Sequence, residues 1–469
     1  MRFENFLLTL VAAAALGACS SAPTIKPPAM DVPAAFKEGP AFVRVNPNAA
    51  DVPDAWWTLF NDPVLNELQD RLVKGNQTLA SAAAAVEVAQ AALGSSRASL
   101  YPTLGVSAGA SRTANVSTSP RGTSYSVQGS LSNWELDLWG RVAAGVHAAD
   151  AKLQASRHTL AATRLSLQAT LAQSYFSLRT SDALATVLTQ TVTAYTRSLD
   201  LTQNRYQGGV ASAADVAQAQ TQLKSAQAQL VEARLQRAQI EHAVATLLGQ
   251  APAALALAPS AAGNMPVPPQ APLQLPSTLL ARRPDIAAAA AQVAAANAQI
   301  GAADAAFLPA LTLSVNGGFR NTDLGTLIQA ANKFWSLGPT LAYAVFDGGA
   351  RRAASDSARA SYDQTVANYR QTVLTALQEV EDNLVAASFL QEEMGLQQES
   401  LTSARRALDI AQNQYKAGTV SYLNVVTAQT TVLSAERSLL DVRNRRLVAV
   451  NQLLKNLAGC WDEAEQKRR

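Results

Sequence analysis

Few side chains in this 469-residue sequence are grouped for bond-making chemistry. The three histidines, His147, His158 and His242, stand far apart, with no HExxH and no CxxC beside them, so their spacing argues against a metal site. No GxGxxG follows a strand-like stretch and no GxxxxGK occurs, which removes the usual nucleotide-phosphate cradles. Asp137 and Asp347 sit beside glycine-containing turns, where capping of the following helix accounts for them. Methionine is rare, with 4 in the chain, which disfavours a methionine relay for copper. These residues supply no nucleophile, base or metal, so the expectation is a protein that is not an enzyme and needs no cofactor. The thiol of Cys19 is the exception, because its surroundings fit it for covalent modification.

Cys19 closes the longest apolar run, Phe6–Ala18, of about 13 residues, which is signal-peptide length and too short to span a bilayer. Leu16-Gly17-Ala18-Cys19-Ser20 resembles a bacterial lipobox, where the chain is cut before the Cys. The thiol of Cys19 would then carry a diacylglycerol and its new amine an acyl chain; an ordinary signal peptide with a chance Cys is the alternative. Ser20, rather than Asp, resembles lipoproteins sent on to the outer membrane. Buried acyl chains at ~0.8 kcal/mol per CH₂ hold such an N-terminus on outer membrane lipids without a spanning helix. Residues 1–18 are thus read as signal peptide and 19–62 as a lipid-anchored extended segment. Cys460 is left without a partner, which excludes a disulfide framework even in an oxidising compartment.

Composition narrows the class further. Charged residues are 16% and aromatics 6%, while the 48% of hydrophobic residues is largely alanine. A net charge of +3 is too small for a nucleic-acid partner, and the hydrophobic content is too high for disorder. No run of ~18 apolar residues occurs, which rules out a polytopic helical membrane protein.

The elements that must position any site come from a duplication. Leu199–Gln250 lies over Leu408–Gly459 at an offset of about 209 residues, with Asn204…Tyr206…Gly209…Ser212…Asp215-Val216 matching Asn413…Tyr415…Gly418…Ser421…Asn424-Val425. The first repeat is placed at 63–250 and the second at 277–459, joined by a Pro-rich linker at 251–276 and followed by a tail at 460–469. Each repeat reads as helix, two strands, very long helix, turn, helix. The first copy puts strands at about 103–112 and 123–136 and a helix at about 141–206; the second puts strands at about 310–320 and 334–346 and a helix at about 350–416. A helix of that length spans roughly 100 Å at 1.5 Å per residue. Leu171, Leu178, Ala185, Val192, Leu199 and Tyr206 recur every seven residues, as do Val366, Val373, Val380, Ala387, Met394, Leu401, Leu408 and Tyr415, which predicts coiled-coil packing. Alanines off these seams let each helix touch neighbours on two flanks, as in a wall or tube.

The strands alternate. Leu311, Leu313, Val315, Gly317 and Phe319 share one face against Thr312, Ser314, Asn316 and Gly318, and Tyr125, Val127, Gly129 and Leu131 share another against serines and Gln128. Such alternation fits a soluble hairpin packed on helices and equally a membrane barrel strand with a wet lumen. Four strands cannot close a membrane barrel, because the smallest have about eight, so the second case requires several chains in one barrel.

These residues resemble the TolC-like outer membrane factor family, in its lipoprotein (NodT/OprM-like) branch. Trp56-Trp57-Thr58-Leu59-Phe60-Asn61-Asp62-Pro63…Leu65 is similar to that branch's opening motif, and Leu279-Leu280-Ala281-Arg282-Arg283-Pro284-Asp285-Ile286 to its second-repeat signature, which usually carries a Glu where Ala290 stands. The resemblance covers about Pro53 to Gly459. It implies a mainly α fold with a small membrane β-barrel: a homotrimer with a twelve-stranded β-barrel and a long periplasmic α-barrel. The implied function is an outer membrane channel of a tripartite efflux system exporting small molecules such as drugs. Its partners would be a periplasmic adaptor (membrane fusion) protein and an inner-membrane pump of the resistance–nodulation–division type. The loops Arg112–Thr123 and Gly318–Phe334 would face outside the cell, and the Tyr206–Asp215 and Tyr415–Asn424 turns would form the periplasmic tip.

At that tip the resemblance implies a gate of Asp215, Tyr415, Leu423, Asn424 and Thr427, with Asp215 bonded to Tyr415 and Val420 standing where the family has an Arg. It implies adaptor contacts at Tyr206, Gly209, Ser212, Gly418 and Ser421. Read from local chemistry alone, the glycines reverse the chain and the serines cap the returning helices. A periplasmic coiled-coil structural or adaptor lipoprotein, or an exit duct for type I secretion or metal efflux, are the alternatives in function.

Overall fold

In a computed structural model the described residues are 33, 36–37, 53–115, 119–260, 265–269 and 282–458. Cys19, Cys460, the signal peptide, the tail and part of the linker therefore lie outside the described residues. The order is α1 (Pro63–Gly75), α2 (Gln77–Ala98), β1 (Leu104–Asn115), β2 (Ser119–Glu135), α3 (Arg141–Gln207), α4 (Ala213–Leu247), α5 (Pro284–Ala305), β3 (Ala310–Asn321), β4 (Lys333–Ala342), α6 (Ala350–Lys416) and α7 (Tyr422–Leu457). Internal contacts divide the chain into a unit of residues 1–30, 84–158 and 286–372 and a unit of 31–83, 159–285 and 373–469.

The first unit holds one antiparallel sheet in the order β1-β2-β3-β4. Its register settles which way the alternation faces. Val106 pairs with Gly129, Gly129 with Gly317 and Gly317 with Trp335, while Leu104 pairs with Leu131, Leu131 with Val315 and Val315 with Leu337. Because strand side chains alternate, these rows place most of the apolar residues on one face, while Phe334, opposite Gly318, lies on the other. The opposite rows run Ser107–Gln128–Gly318 and Ser130–Asn316–Ser336. The apolar face is open in the protomer, with Val106 85% and Trp335 79% exposed. A soluble hairpin packed on helices would have buried it. Gly318 is required by close approach, since a Cβ there would lie 2.1 Å from the carbonyl oxygen of Val127.

Strand limits differ from the sequence expectation at both ends of the sheet. β1 runs to Asn115 and β2 starts at Ser119, so the first loop is much shorter than Arg112–Thr123. β4 stops at Ala342 instead of reaching 346, because the chain is already being turned into α6. Arg351 donates to the Ala344 carbonyl and to Asp347, Asp347 accepts from the Gly349 and Arg351 backbone N–H groups, and Gly348 and Gly349 take φ of 64° and 92°. Asp137 caps α3 in the same way, accepting from Val142 and Ala143.

The second unit is built on the opening motif. Trp56, Trp57 and Phe60 pack with Leu65, Leu68 and Leu72 of α1, with Leu171, Tyr175 and Phe176 of α3, and with Leu447, Leu454 and Leu457 of α7. Asp62 caps α1, accepting from the Val64 and Leu65 backbone through Oδ1, and its Oδ2 accepts from the Tyr175 hydroxyl at 2.6 Å. Pro63 at the first helical position has no N–H to leave unsatisfied. Arg283 of the second motif is buried and pairs with Asp285 at 2.7 Å and Glu379 at 3.0 Å, tying the start of α5 to α6.

α3 and α6 are each 67 residues long, with no interior proline to break them. The seam positions Leu171, Leu178, Val373, Val380, Leu401 and Tyr415 are buried as the seven-residue pattern requires, and α4 adds an alanine row at Ala219, Ala226 and Ala233. Threonines along α3, including Thr163, Thr170, Thr186, Thr191 and Thr196, donate their hydroxyls to the carbonyl four residues back. Below α4 the backbone of Gly249, at φ +70°, lies against Gly75 so closely that a Cβ would sit 1.9 Å from the Gly75 carbonyl oxygen. Gly249→Ala therefore forces this contact apart and costs more than about 3 kcal/mol by strain at a special backbone position; loss of folded protein in extracts is the expected readout, with Gly94→Ala, which meets nothing within 4 Å, as the unaffected control.

Candidate functional site

The two helix reversals of the second unit bring most of the expected tip residues together. α3 ends in a Schellman motif: Gly209, at φ +73°, donates to Tyr206 at 2.9 Å and Val210 donates to Arg205 at 2.9 Å. α6 ends identically, with Gly418 at φ +78°, Gly418 donating to Tyr415 and Thr419 to Gln414, both at 3.0 Å. The glycines are needed because only they take this left-handed position without strain.

The helix starts are not equivalent. Ser212 closes a capping box: its Oγ accepts from the Asp215 N–H and the Asp215 carboxylate accepts from the Ser212 N–H, each at 3.1 Å. Ser421 occupies the same position ahead of α7 in an extended conformation, but its hydroxyl makes no capping bond. The expectation that both serines cap is therefore corrected. The third helical residue is Asn424 in the second hairpin, so the reciprocal carboxylate is missing.

The expected Asp215–Tyr415 bond is also not formed within the protomer. Asp215 is committed to its own turn, and the Tyr415 hydroxyl is buried without a hydrogen-bond partner. The Tyr415 ring packs edge-on against Tyr422 at 5.3 Å, within a small core that includes Ala219 and Val425. Its other face carries the Arg205 guanidinium, 4.9 Å from the ring centroid, and Arg205 Nη1 donates to the Lys416 carbonyl at 3.0 Å. A cation at the C-terminal end of α6 also meets the negative end of that helix dipole. The arginine missing at Val420 is thus replaced from the other hairpin. Sequence reading missed Arg205, although its repeat counterpart is the neutral Gln414, and a charge present in only one copy was the available signal.

Tyr422 was missed as well. It is fully buried, its hydroxyl lies 3.1 Å from Ser198 Oγ, and burial, with the nearby Tyr415 and Asp215, pushes its pKa above the ordinary tyrosine value despite the Ser198 hydrogen bond. Burial likewise pushes Tyr195, on α3 of the other hairpin, to about 12. By contrast Tyr206 is 50% exposed where its counterpart Tyr415 is 6%. Leu423, Asn424 and Thr427 share an exposed face of α7, and the Thr427 hydroxyl donates back to the Leu423 carbonyl at 3.0 Å.

The architecture that carries this tip, a duplicated helical chain with a four-stranded sheet open at both edges, can be compared with known proteins. The profile of the family described as Outer membrane efflux protein matches twice, over residues 68–250 and 275–459. This chain belongs to that family. OprJ of Pseudomonas aeruginosa is 34% identical over 462 residues, covering 97% of this chain and 95% of OprJ. The solvent efflux pump outer membrane protein SrpC of Pseudomonas putida is 33% identical over 479 residues, covering 99% of this chain and 100% of SrpC. Among solved structures the outer-membrane channel OprN superposes with a TM-score of 0.87 at 27% identity, over 94% of this chain and 100% of that one. The MtrE outer membrane channel of Neisseria gonorrhoeae, in its open state, gives 0.81 at 27%, over 94% and 98%.

The chain is therefore an outer membrane efflux protein of the TolC-like fold, whose trimer shares one β-barrel and one α-barrel reaching into the periplasm, and it serves an efflux pump. It is a transport protein, not an enzyme. The reading as a periplasmic structural or adaptor lipoprotein is set aside.

The unequal tips have unequal energetics. Ser212→Ala removes a capping bond and costs about 1 kcal/mol, whereas Ser421→Ala, with no such bond, costs close to none. Arg205→Ala removes a charged hydrogen bond and a cation–π contact, about 2 kcal/mol together. Amide hydrogen exchange at the first turns of α4 and α7 checks the order: Ser212→Ala accelerates α4, Arg205→Ala accelerates α7, and Ser421→Ala moves neither. Raising the pH adds a third readout. A tyrosine whose folded pKa is raised contributes stability that is complete below the ordinary value near 10 and is lost as pH climbs through the folded one, so hairpin stability should fall between about 10 and 12, and Tyr195→Phe should flatten that fall.

Proposed function

We propose that this channel is held to the outer membrane by acyl and diacylglycerol groups on Cys19, engages a periplasmic adaptor and a resistance–nodulation–division pump, and exports small organic molecules such as drugs and solvents. The observation that carries the channel reading is the sheet: one exposed face that is apolar over most of its length, with Arg112, Asn321 and Lys333 only at its loop end, one largely polar face, and two edges unpaired among the described residues. In a bilayer such edges must find partners, because an unsatisfied backbone group there costs several kcal/mol. Three copies supply them and enclose a polar lumen. Relatives named for solvent, toluene and antibiotic efflux support the substrate class.

At the tip, the face of α7 bearing Leu423, Asn424 and Thr427 forms the narrowest ring, and the half-exposed Tyr206 with the Gly209, Ser212, Gly418 and Ser421 turns receives the adaptor. Tyr415 and Asp215 act from behind this ring, one as its packed support and the other as the cap of the neighbouring helix. The ring is neutral, so Asn424→Asp and Thr427→Asp should make the channel more cation-selective in a planar bilayer; unchanged reversal potentials would place the constriction elsewhere. Cys19→Ala should abolish palmitate labelling while the trimer remains in outer membrane extracts, since the barrel holds it there; labelling that persists would remove the lipid anchor from this reading. Drug and solvent susceptibility of a deletion strain tests the substrates.

A further inference from the structure

The charges of the sheet are one-sided. Residues 104–134 and 310–342 hold four cations, Arg112, Arg121, Arg320 and Lys333, and one acid, Asp323. Asp323 is occupied by its own turn, accepting from the Gly325 N–H and the Thr326 hydroxyl, each at 3.0 Å. Arg320 lies on the polar face, its guanidinium 5.0 Å from the Phe334 ring centroid. Arg112 and Lys333 are exposed on the apolar face, at the loop ends of the two edge strands. Among the described residues neither side chain has a hydrogen-bond or ion-pair partner. At the helix end the arginines beside the sheet are matched, Arg141 by Glu135 and Arg351 by Asp347.

The register sets the level of these two cations. Arg112 lies eight residues beyond Leu104 on β1, and Lys333 lies eight residues from Leu341 on β4. That is roughly 26 Å along a strand, or about 20 Å of height at the ~40° tilt of barrel strands, close to the ~25 Å apolar band of such barrels. Both cations therefore stand where hydrocarbon gives way to headgroups. Because the helices reach into the periplasm, the loop end of the sheet belongs to the outer leaflet.

Closing the sheet brings the two together. The row through Leu104, Leu131 and Val315 meets β4 at Leu337, four residues nearer the loops than Leu341. Rows thus climb four residues in three strand steps, which is what a ~40° tilt gives at roughly 1.2 residues per step. The row of Lys333 runs from Ala108 through Val127 and Phe319. One further step, where β4 of one copy meets β1 of the next, carries it about five residues beyond Ala108. Lys333 then stands opposite Arg112 of the next copy or one cross-strand pair away, close enough to share a ligand. We propose that Arg112 of one protomer and Lys333 of the next form an outward-facing site, repeated three times around the trimer, that binds phosphate groups of the phosphorylated glycolipids in the outer leaflet. The guanidinium supplies a two-pronged phosphate contact and the ammonium a point charge, while the apolar band beneath them takes the acyl chains.

The site exists only where three copies close the sheet, and full-length protein in detergent tests closure and site separately. In a Cys460→Ser background, Arg112→Cys combined with Lys333→Cys should be joined between chains by a short bismaleimide, while neither single variant is. An intact trimer without that cross-link overturns the pairing; a chain that forms no trimer overturns closure, and the site with it. Lipid binding is read by native mass spectrometry with lipid A carrying two phosphates, the same lipid stripped of phosphate, and inorganic phosphate as competitor. The phosphorylated lipid should bind the trimer, with affinity falling at least about tenfold in Arg112→Gln combined with Lys333→Gln. Arg320→Gln, on the polar face, should leave binding unchanged. Equal binding of the stripped lipid, or no loss in the double variant, reduces the surface to apolar contact and overturns the proposal. Complete displacement by inorganic phosphate makes the site one for free anions and overturns the lipid assignment.

Discussion

The structure depends on a sheet that cannot satisfy itself. Its four strands are paired in sequence order, with register shifts at Thr113/Asn115 and Leu131/Trp134, but β1 and β4 each leave a row of backbone donors and acceptors with no partner among the described residues. In water this would be an aggregation hazard; in hydrocarbon it is prohibitive unless the edges meet other edges. The apolar face makes the second situation the relevant one. Everything else follows from closing that sheet with copies of itself. The helices that continue from the strands must then also stand in a ring, each needing a neighbour on two flanks, and small residues such as Ala219, Ala226 and Ala233 are what permit close approach.

Duplication supplies the ring with six hairpin units from three chains, but the two copies have not stayed alike. The first hairpin is self-sufficient, its helix start closed by Ser212 and Asp215. The second lacks that box and is held from outside, by Arg205 reaching across to Lys416 and stacking on Tyr415. Tyr206 and Tyr415, identical in the repeat, have been given opposite surroundings. Each chain thus pairs a locally capped hairpin with one held from outside, and the second bears Leu423, Asn424 and Thr427.

Much of this was legible in the residues. Heptad phase and the absence of proline placed both 67-residue helices to within a residue, and alternation identified both strand pairs, since these signals are periodic and local. The strand ends were less legible because they depend on tertiary contacts: β4 is cut short by Arg351 and Asp347, which lie beyond it in sequence. The tip showed the limit most clearly. Ser212 and Ser421 occupy the same motif position, yet only one caps, because the outcome turns on whether the third helical residue is Asp or Asn. Tyr415 was assigned a carboxylate by family resemblance, whereas its actual neighbour is a cation supplied by a different hairpin, a pairing no local pattern encodes.

The threonines of α3 carry one more consequence. Each hydroxyl that bonds to its own helix four residues back has turned its polar half inward and left a methyl outward. By composition the long helices are rich in hydroxyl groups; by contact they offer neither charge nor free donors along those rows. At Thr170 and Thr196, which are exposed, the helix therefore shows its surroundings a methyl surface in place of a free hydroxyl donor.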